Sequence, residues 1–483
     1  MYMSHGLKGI KMIKKTASPK TSHIKSFFTL TLITLFMLPH SIMAQEVSPN
    51  TTHSISPVYK SVDKDDLWQT YLRAREFDAE FLRATQEYGA AKEGLNQARG
   101  RLLPEVSIFA EEVETEQDIV ASDITVFGSG NSDYSTTRYG ININQPVFDW
   151  ERFMGYSQAK RQDAQADAVL LQAQQSLILK VAENYLLVLA AQDNLEFTRK
   201  EEKAVLEQKA IAAARFKAKL GRKADFLEAK ARAVSVYADR IAAENSLDDA
   251  IEGIREISGA GSQNYSRLID QFKLVSAQPD DLDVWIDKSM KGNIEIQMQR
   301  YAVKVAQYEI KRLRAGHYPT LDLFARFNNE DKGGSLFGGT SEVDTTEIGL
   351  RLNVPIFEGG STNSRVKEAA FNYNAALEQQ NQQMRKVRRE ARSTFLDLRT
   401  SLTKVDSLQQ AVEAQNVVVD TKRKGYPRLY TSREVLDSER DLYSAKRDLA
   451  KARYEYLLAN LKLKATVGSL TGKDLENMNS LFL

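Results

Sequence analysis

Apolar and polar residues alternate one by one in four short stretches. Tyr139, Ile141, Ile143 and Val147 alternate with Arg138, Gly140, Asn142, Asn144 and Pro146. Ile348, Leu350, Leu352, Val354 and Ile356 alternate with Gly349, Arg351, Asn353 and Pro355. Leu321, Leu323, Ala325 and Phe327 oppose Asp322, Arg326 and Asn328, and only Phe324 breaks the rule. Val106, Ile108 and Ala110 alternate with Ser107 and Phe109 until Glu111, Glu112 and Glu114 turn the stretch acidic. A period of two marks strands with one apolar face. Strands are therefore expected near 104–115, 137–148, 319–329 and 345–357, each about the 9–11 residues that cross a bilayer when tilted. Polar loops join them, Glu116 to Thr136 and Asn329 to Asp344, the second with four glycines including Gly338.

A second pattern has the helical period. From Tyr156 to Leu220 the chain has 65 residues without Gly or Pro, and from Ser361 to Lys424 it has 64. As helices these segments span about 95 Å, longer than an ordinary domain is wide, so they must pack along one another. Leu177, Val181, Val188 and Leu195 fall at coiled-coil spacing. Ala164, Ala166, Ala168, Ala190 and Ala191 permit close helix approach.

The two patterns occur twice. Gln145-Pro146-Val147-Phe148-Asp149 reads against Val354-Pro355-Ile356-Phe357-Glu358 at an offset of 209. Asp225 to Ala229 and Gly259 meet Glu434 to Ser438 and Gly468 at the same offset. Leu103-Pro104 to Phe109 meets Tyr318-Pro319 to Phe324 at 215, as a first-half loop six residues longer would require. The expected layout is a signal peptide (1–44), an N-terminal extension (45–64) and a first repeat (65–258) with a helical hairpin over 150–258. A linker (259–282), a second repeat (283–468) with a hairpin over 361–467, and a tail (469–483) follow.

The leader reading rests on six lysines followed by an apolar run from Phe27 to Leu38 and Ser41-Ile42-Met43-Ala44. That run is short of a membrane span. Removing those six lysines turns the formal charge of +2 into −4, which gives nucleic-acid binding no support. The chain has no Cys, and His53 and His317 are the only histidines beyond residue 44. Disulfide scaffolds, Cys-ligated metals and a lipidated N-terminal Cys are thereby excluded, and no cofactor or enzyme activity is expected.

Four strands do not close a membrane barrel, and an open edge in lipid leaves backbone groups unpaired. Several chains must pool their strands, and three would supply twelve. A periplasmic coiled-coil scaffold without a pore is the alternative from another class.

The ordered set of marks resembles the TolC family of outer-membrane channel proteins, over about residues 67–470. It comprises the duplicated layout, Leu103-Pro104, Gln145 to Phe148, Val181-Ala182-Glu183-Asn184-Tyr185-Leu186, Leu436-Asp437, and Ala452-Arg453-Tyr454-Glu455-Tyr456-Leu457-Leu458 with Leu461-Lys462 and Gly468. The closing segment is similar to the branch serving type I secretion. The resemblance implies a mainly α fold with a β membrane part: a trimeric twelve-stranded barrel in a Gram-negative outer membrane, continued by a periplasmic helical tunnel. It also implies a periplasmic adaptor and an inner-membrane ABC transporter or proton-driven pump as partners. A duct for multidrug or metal efflux is the alternative within the class.

The resemblance further assigns roles to residues. Glu434 and Asp437 would form an acidic ring at the pore gate, their spacing of three placing both on one helix face. Asp225 would be held by a Tyr and an Arg of the second turn, for which Tyr426, Arg428, Tyr430 and Arg433 are candidates. Gly221, Arg222, Thr431 and Ser432 would be adaptor-contact tips. Arg138, Asn142, Asn144, Asp322, Arg326, Arg351 and Asn353 would line the barrel lumen.

Overall fold

The computed structural model describes residues 60–62, 65–120, 130–262, 264–269, 272–334, 339–426 and 428–482. The signal peptide, most of the N-terminal extension, Gly338 and Pro427 lie outside the described residues. In chain order the elements are β1 (Lys60–Val62), α1 (Leu67–Phe77), α2 (Ala79–Gly100), β2 (Glu105–Ile119), β3 (Gly130–Phe148), α3 (Trp150–Lys217), α4 (Lys223–Ser258) and β4 (Ala260–Ser262). The second half adds α5 (Leu282–Gly292), α6 (Ile294–Arg314), β5 (Thr320–Lys332), β6 (Ser341–Asn353), α7 (Ser361–Gly425), α8 (Ser432–Thr466) and α9 (Gly472–Asn479).

The four long strands form one antiparallel sheet in the order β2-β3-β5-β6. Its register carries the internal repeat. Glu105 faces Asn144 in one hairpin and Thr320 faces Asn353 in the other, which are the offsets of 215 and 209. Strand ends differ from expectation in both hairpins, and β5 and β6 stay paired out to Lys332 and Ser341 where a loop is expected. β2 and β3 stay paired out to Ile119 and Gly130, through acidic residues that read as loop. β6 stops at Asn353 although Val354 and Ile356 continue the alternation. Pro355 has no N–H to give a ladder, and Ile356 is left 94% exposed. Its counterpart Pro146 stays in β3 through a register shift before Phe148.

One rod of each hairpin starts at a side-chain cap. Asp149 accepts from Arg152 N at 3.0 Å and opens α3, a helix of 68 residues and about 100 Å. Thr431 and Glu434 form a capping box that opens α8. Repeat-related Gly259 and Gly468 follow α4 and α8 with φ of 66° and 74°, the left-handed backbone glycine adopts most easily. Leu177, Val181, Val188 and Leu195 are all buried. The first three belong to a core that also takes in the linker and the tail. Tyr185 is fully buried there, donates its hydroxyl to Ser266 O at 3.0 Å, and meets the rings of Tyr265 and Phe482 edge-on. Linker and tail meet where Leu268 bridges Phe482. Nearer the hairpin turns the packing narrows to a small core of Val205, Ala212, Ala229, Ala233, Val236 and Leu436.

Among the described residues no helix is long and apolar enough to cross a membrane.

Candidate functional site

Two regions carry the polar residues singled out in the sequence: one face of the sheet and the two hairpin turns. Pleating places Arg138, Asn142, Asn144, Asp322, Arg326, Arg351 and Asn353 on the same face, because Ser107, Asn142 and Arg326 share one row and Asp322 faces Arg351. A groove on this face is lined by most of them. The opposite face presents Val106, Ile108, Ile141, Ile143, Leu323, Phe327, Ile348, Leu350 and Leu352, all at least partly bare of protein. Arg138 ties three strands, giving Nε to Glu330 Oε2 at 2.7 Å with Glu111 at 3.8 Å. Sequence reasoning missed Glu111 and Glu330 as members of this face, since Glu111 lies where its strand turns acidic and Glu330 where the chain reads as loop.

Phe324, the exception in the alternation, has a partner on the polar face. It lies against Gly349 directly across the ladder, where a Cβ would come within 2.7 Å of the ring. The guanidinium carbons of Arg326 and Arg351 each lie 5.1 Å from its centroid. The repeat-related pair is Phe109 across from Gly140. An aromatic ring filling the space above a strand glycine covers backbone that would otherwise stand bare.

At the first turn Lys219 adopts left-handed backbone with φ 62°, and Arg222 immediately precedes α4. Arg222 holds Asp225 through Nη2 to Oδ1 at 2.9 Å and Nε to Oδ2 at 3.4 Å. Among the described residues, the bonds Asp225 makes within the chain go to Arg222 and not to the second turn. Phe216 and Phe226 stack at 6.0 Å with their planes 2° apart, joining the two arms of the hairpin.

At the second turn Glu434 Oε2 accepts from Thr431 N at 2.7 Å and Thr431 Oγ1 at 2.8 Å. The backbone N–H, then the hydroxyl, hold this exposed carboxyl below its usual range. Asp437 lies 3.7 Å from Arg433 and 3.6 Å from Arg440. Arg433 thus serves Asp437 within the chain, Arg428 is exposed, and Tyr430 folds over Gly425. Ser432 is 1% exposed and accepts from Gln208 Nε2 at 2.8 Å. Ser432, expected at the adaptor-contact tips, thus spends its hydroxyl on a neighbouring helix. Gly221, Arg222 and Thr431 remain at the surface.

Two buried carboxylates of the long helical hairpins escaped the sequence. Glu201 of α3 pairs with Arg232 of α4 and, at 3.2 Å, with Arg447 of α8. Glu439 of α8 receives Arg423 Nε at 2.5 Å, and its Oε2 has no hydrogen-bond partner among the described residues. Burial pushes the Glu439 carboxyl up against the pull of Arg423. No local spacing distinguishes these two from the other acidic residues of such charged helices.

A tall two-faced sheet continued by rods of this length is an arrangement for a wet passage. The family model for the outer membrane efflux protein matches residues 71–260 and again 285–469. The chain belongs to the outer membrane efflux protein family. It is an outer-membrane channel whose helical part lies in the periplasm, and the duplicated match reproduces the repeat seen in the sheet register. This efflux protein is 30% identical over 440 residues to outer membrane protein TolC of Vibrio cholerae, covering 88% of this chain and 96% of the relative. It is 27% identical to the alkaline protease secretion protein AprF of Pseudomonas aeruginosa, covering 86% of both. The crystal structure of the outer membrane protein VceC from Vibrio cholerae superposes with a TM-score of 0.71 at 18% identity, over 83% of this chain and 96% of that one. The last is a likeness of fold.

Proposed function

We propose that three copies of this efflux protein form one export duct that serves type I secretion. The observation that carries the trimer is the pair of sheet edges. In the order β2-β3-β5-β6, with every neighbour antiparallel, β2 and β6 run in opposite directions and, among the described residues, are both unpaired on one side. β6 of one copy can then meet β2 of the next as one more antiparallel ladder, and three copies close twelve strands with no edge left in lipid. Polar faces then turn to a water-filled lumen and apolar faces to the membrane.

Secretion is favoured over drug or metal efflux by the extent of likeness to a protease secretion protein, 86% of both chains, and by the absence of Cys, which removes the lipid-anchored form. The two turns are the pore gate. Threefold symmetry brings Glu434 and Asp437 of each copy to one axis as six carboxylates, and such a ring favours cations. Asp225, Tyr426, Arg428, Tyr430 and Arg433 are the groups through which the turns hold the closed gate. Gly221, Arg222 and Thr431 offer the surface for a periplasmic adaptor, which links the duct to an inner-membrane ABC transporter.

The test is a planar-bilayer recording on purified protein. A conducting oligomer whose cation preference is lost in Glu434→Ala/Asp437→Ala supports the reading; unchanged selectivity removes the acidic ring. Crosslinking from a photoreactive residue at Arg222 in cells separates the partners. Capture of an ABC transporter complex supports secretion, and capture of a proton-driven pump replaces it with efflux.

A further inference from the structure

Tyr426 is one of the two tyrosines expected as a candidate partner of Asp225, a bond that would use its hydroxyl. The geometry divides Tyr426 from Asp225. Both oxygens of Asp225 are already engaged by Arg222. Among the described residues the Tyr426 hydroxyl makes no hydrogen bond, while its ring lies 5.8 Å from the guanidinium carbon of Arg215. Arg215 is in the last turn of α3, in the other hairpin.

Arg215 is not a loose surface arginine. The first turn is wrapped around it. Its Nη2 donates to Leu220 O at 3.1 Å, and Leu220 N donates back to Arg215 O at 2.8 Å. Gly221 then passes so close that a Cβ would stand 3.0 Å from Arg215 Cβ and 3.3 Å from its carbonyl carbon. A planar cation fixed by its own turn and aimed at an aromatic face is a directional contact. Seven residues earlier, on the same side of α3, Gln208 makes its bond to Ser432. The polar contact between the hairpins thus continues to the last residues of both.

We propose that the two turns of each chain are clasped by Arg215 and the ring of Tyr426, so that Tyr426 holds the closed gate by its face and Arg215 is the positioning residue across from it. This rests on the gate reading above and replaces the hydroxyl-to-Asp225 bond as the link within one chain. Within one chain Asp225 is engaged in the first turn by Arg222.

The experiment is single-channel recording of the purified full-length protein, comparing Tyr426→Phe, Tyr426→Leu, Arg215→Gln and the double variant Arg215→Gln/Tyr426→Leu. Tyr426→Leu and Arg215→Gln are each expected to raise the open-to-closed ratio about 2- to 5-fold, as loss of an exposed cation–π contact would. The double variant should go no further than either, since one contact is removed in all three. Tyr426→Phe keeps the ring and should restore the closed state that Tyr426→Leu loses. A Tyr426→Phe channel as open as Tyr426→Leu would return the role to the hydroxyl and overturn the clasp. So would wild-type closure in both Tyr426→Leu and Arg215→Gln, with oligomers of wild-type detergent resistance excluding misfolding. A wild-type protein that fails to conduct would sink the channel reading itself, a separate result.

Discussion

The repeat-related glycines of the polar face offer a controlled comparison. Gly349→Ala and Gly140→Ala make the same chemical change at equivalent positions of the two hairpins. At Gly349 the three nearest atoms to the new methyl all belong to the Phe324 ring, the closest at 2.7 Å. A side chain at the solvated face can rotate away, so the change should cost about 1 kcal/mol, the low end for overpacking. At Gly140 the methyl would stand 2.2 Å from the carbonyl oxygen of Phe327, with the Phe109 ring at 2.9 Å behind it. Backbone in a central strand cannot step aside without opening the β3-β5 ladder, and about 3 kcal/mol or more is expected. The assay is thermal dissociation of the detergent-resistant oligomer from outer-membrane fractions, read on gels. Gly349→Ala should dissociate slightly below wild type, and Phe324→Ala/Gly349→Ala should recover part of the loss. Gly140→Ala should yield little oligomer, and Phe109→Ala should not rescue it. Equal loss in the two single variants, or rescue of Gly140→Ala by Phe109→Ala, would refute the argument that backbone approach sets the difference.

Three further outcomes are expected. Lys219→Gly relieves left-handed strain of about 1–2 kcal/mol and gives back about 0.5–1 kcal/mol in chain entropy, so the melting temperature should rise; a fall would mean that the Lys219 side chain is needed. Tyr185→Phe leaves Ser266 O without its 3.0 Å donor and should cost about 1 kcal/mol of stability in a denaturant titration, with the channel unchanged in conductance. Burial raises the Glu439 carboxyl, so its ionised form opposes folding in full above the folded pKa, and the cost shrinks below it and is gone once the pH falls past the ordinary unfolded value. Glu439→Gln should therefore melt above wild type at neutral pH and lose that advantage on acidification; an advantage that grew on acidification would contradict the assignment.

How much was legible follows from where the period survives. Ile141, Leu323 and Leu350 repeat every second residue because one face meets an apolar medium, so strand identity and facing could be read directly. Past Ala110 both faces of β2 are polar, the alternation vanishes, and yet the ladder runs on to Ile119. Pairing there is held by the partner strand and leaves no trace in one strand's composition. At the C-terminal end of β6 the opposite holds, because Val354 and Ile356 keep the pattern while Pro355 denies the bond. The turns were located by Gly221 and Gly425, but their contacts were not. Arg222 lies three residues from Asp225 and satisfies it locally, Ser432 points inward, and Arg215 is one of many cations on a charged helix until the turn is seen to close around it.

The two open sheet edges carry a genetic consequence. In the proposed ring every subunit completes the walls of both neighbours, so a copy with a spoiled β6 damages an assembly in which the other two are sound. Where intact and defective alleles are expressed equally and mix at random, only about one ring in eight contains intact copies alone. Lesions that leave the chain folded but corrupt β2 or β6 should thus act dominantly, whereas lesions that prevent folding, and so keep the copy out of the ring, should be recessive.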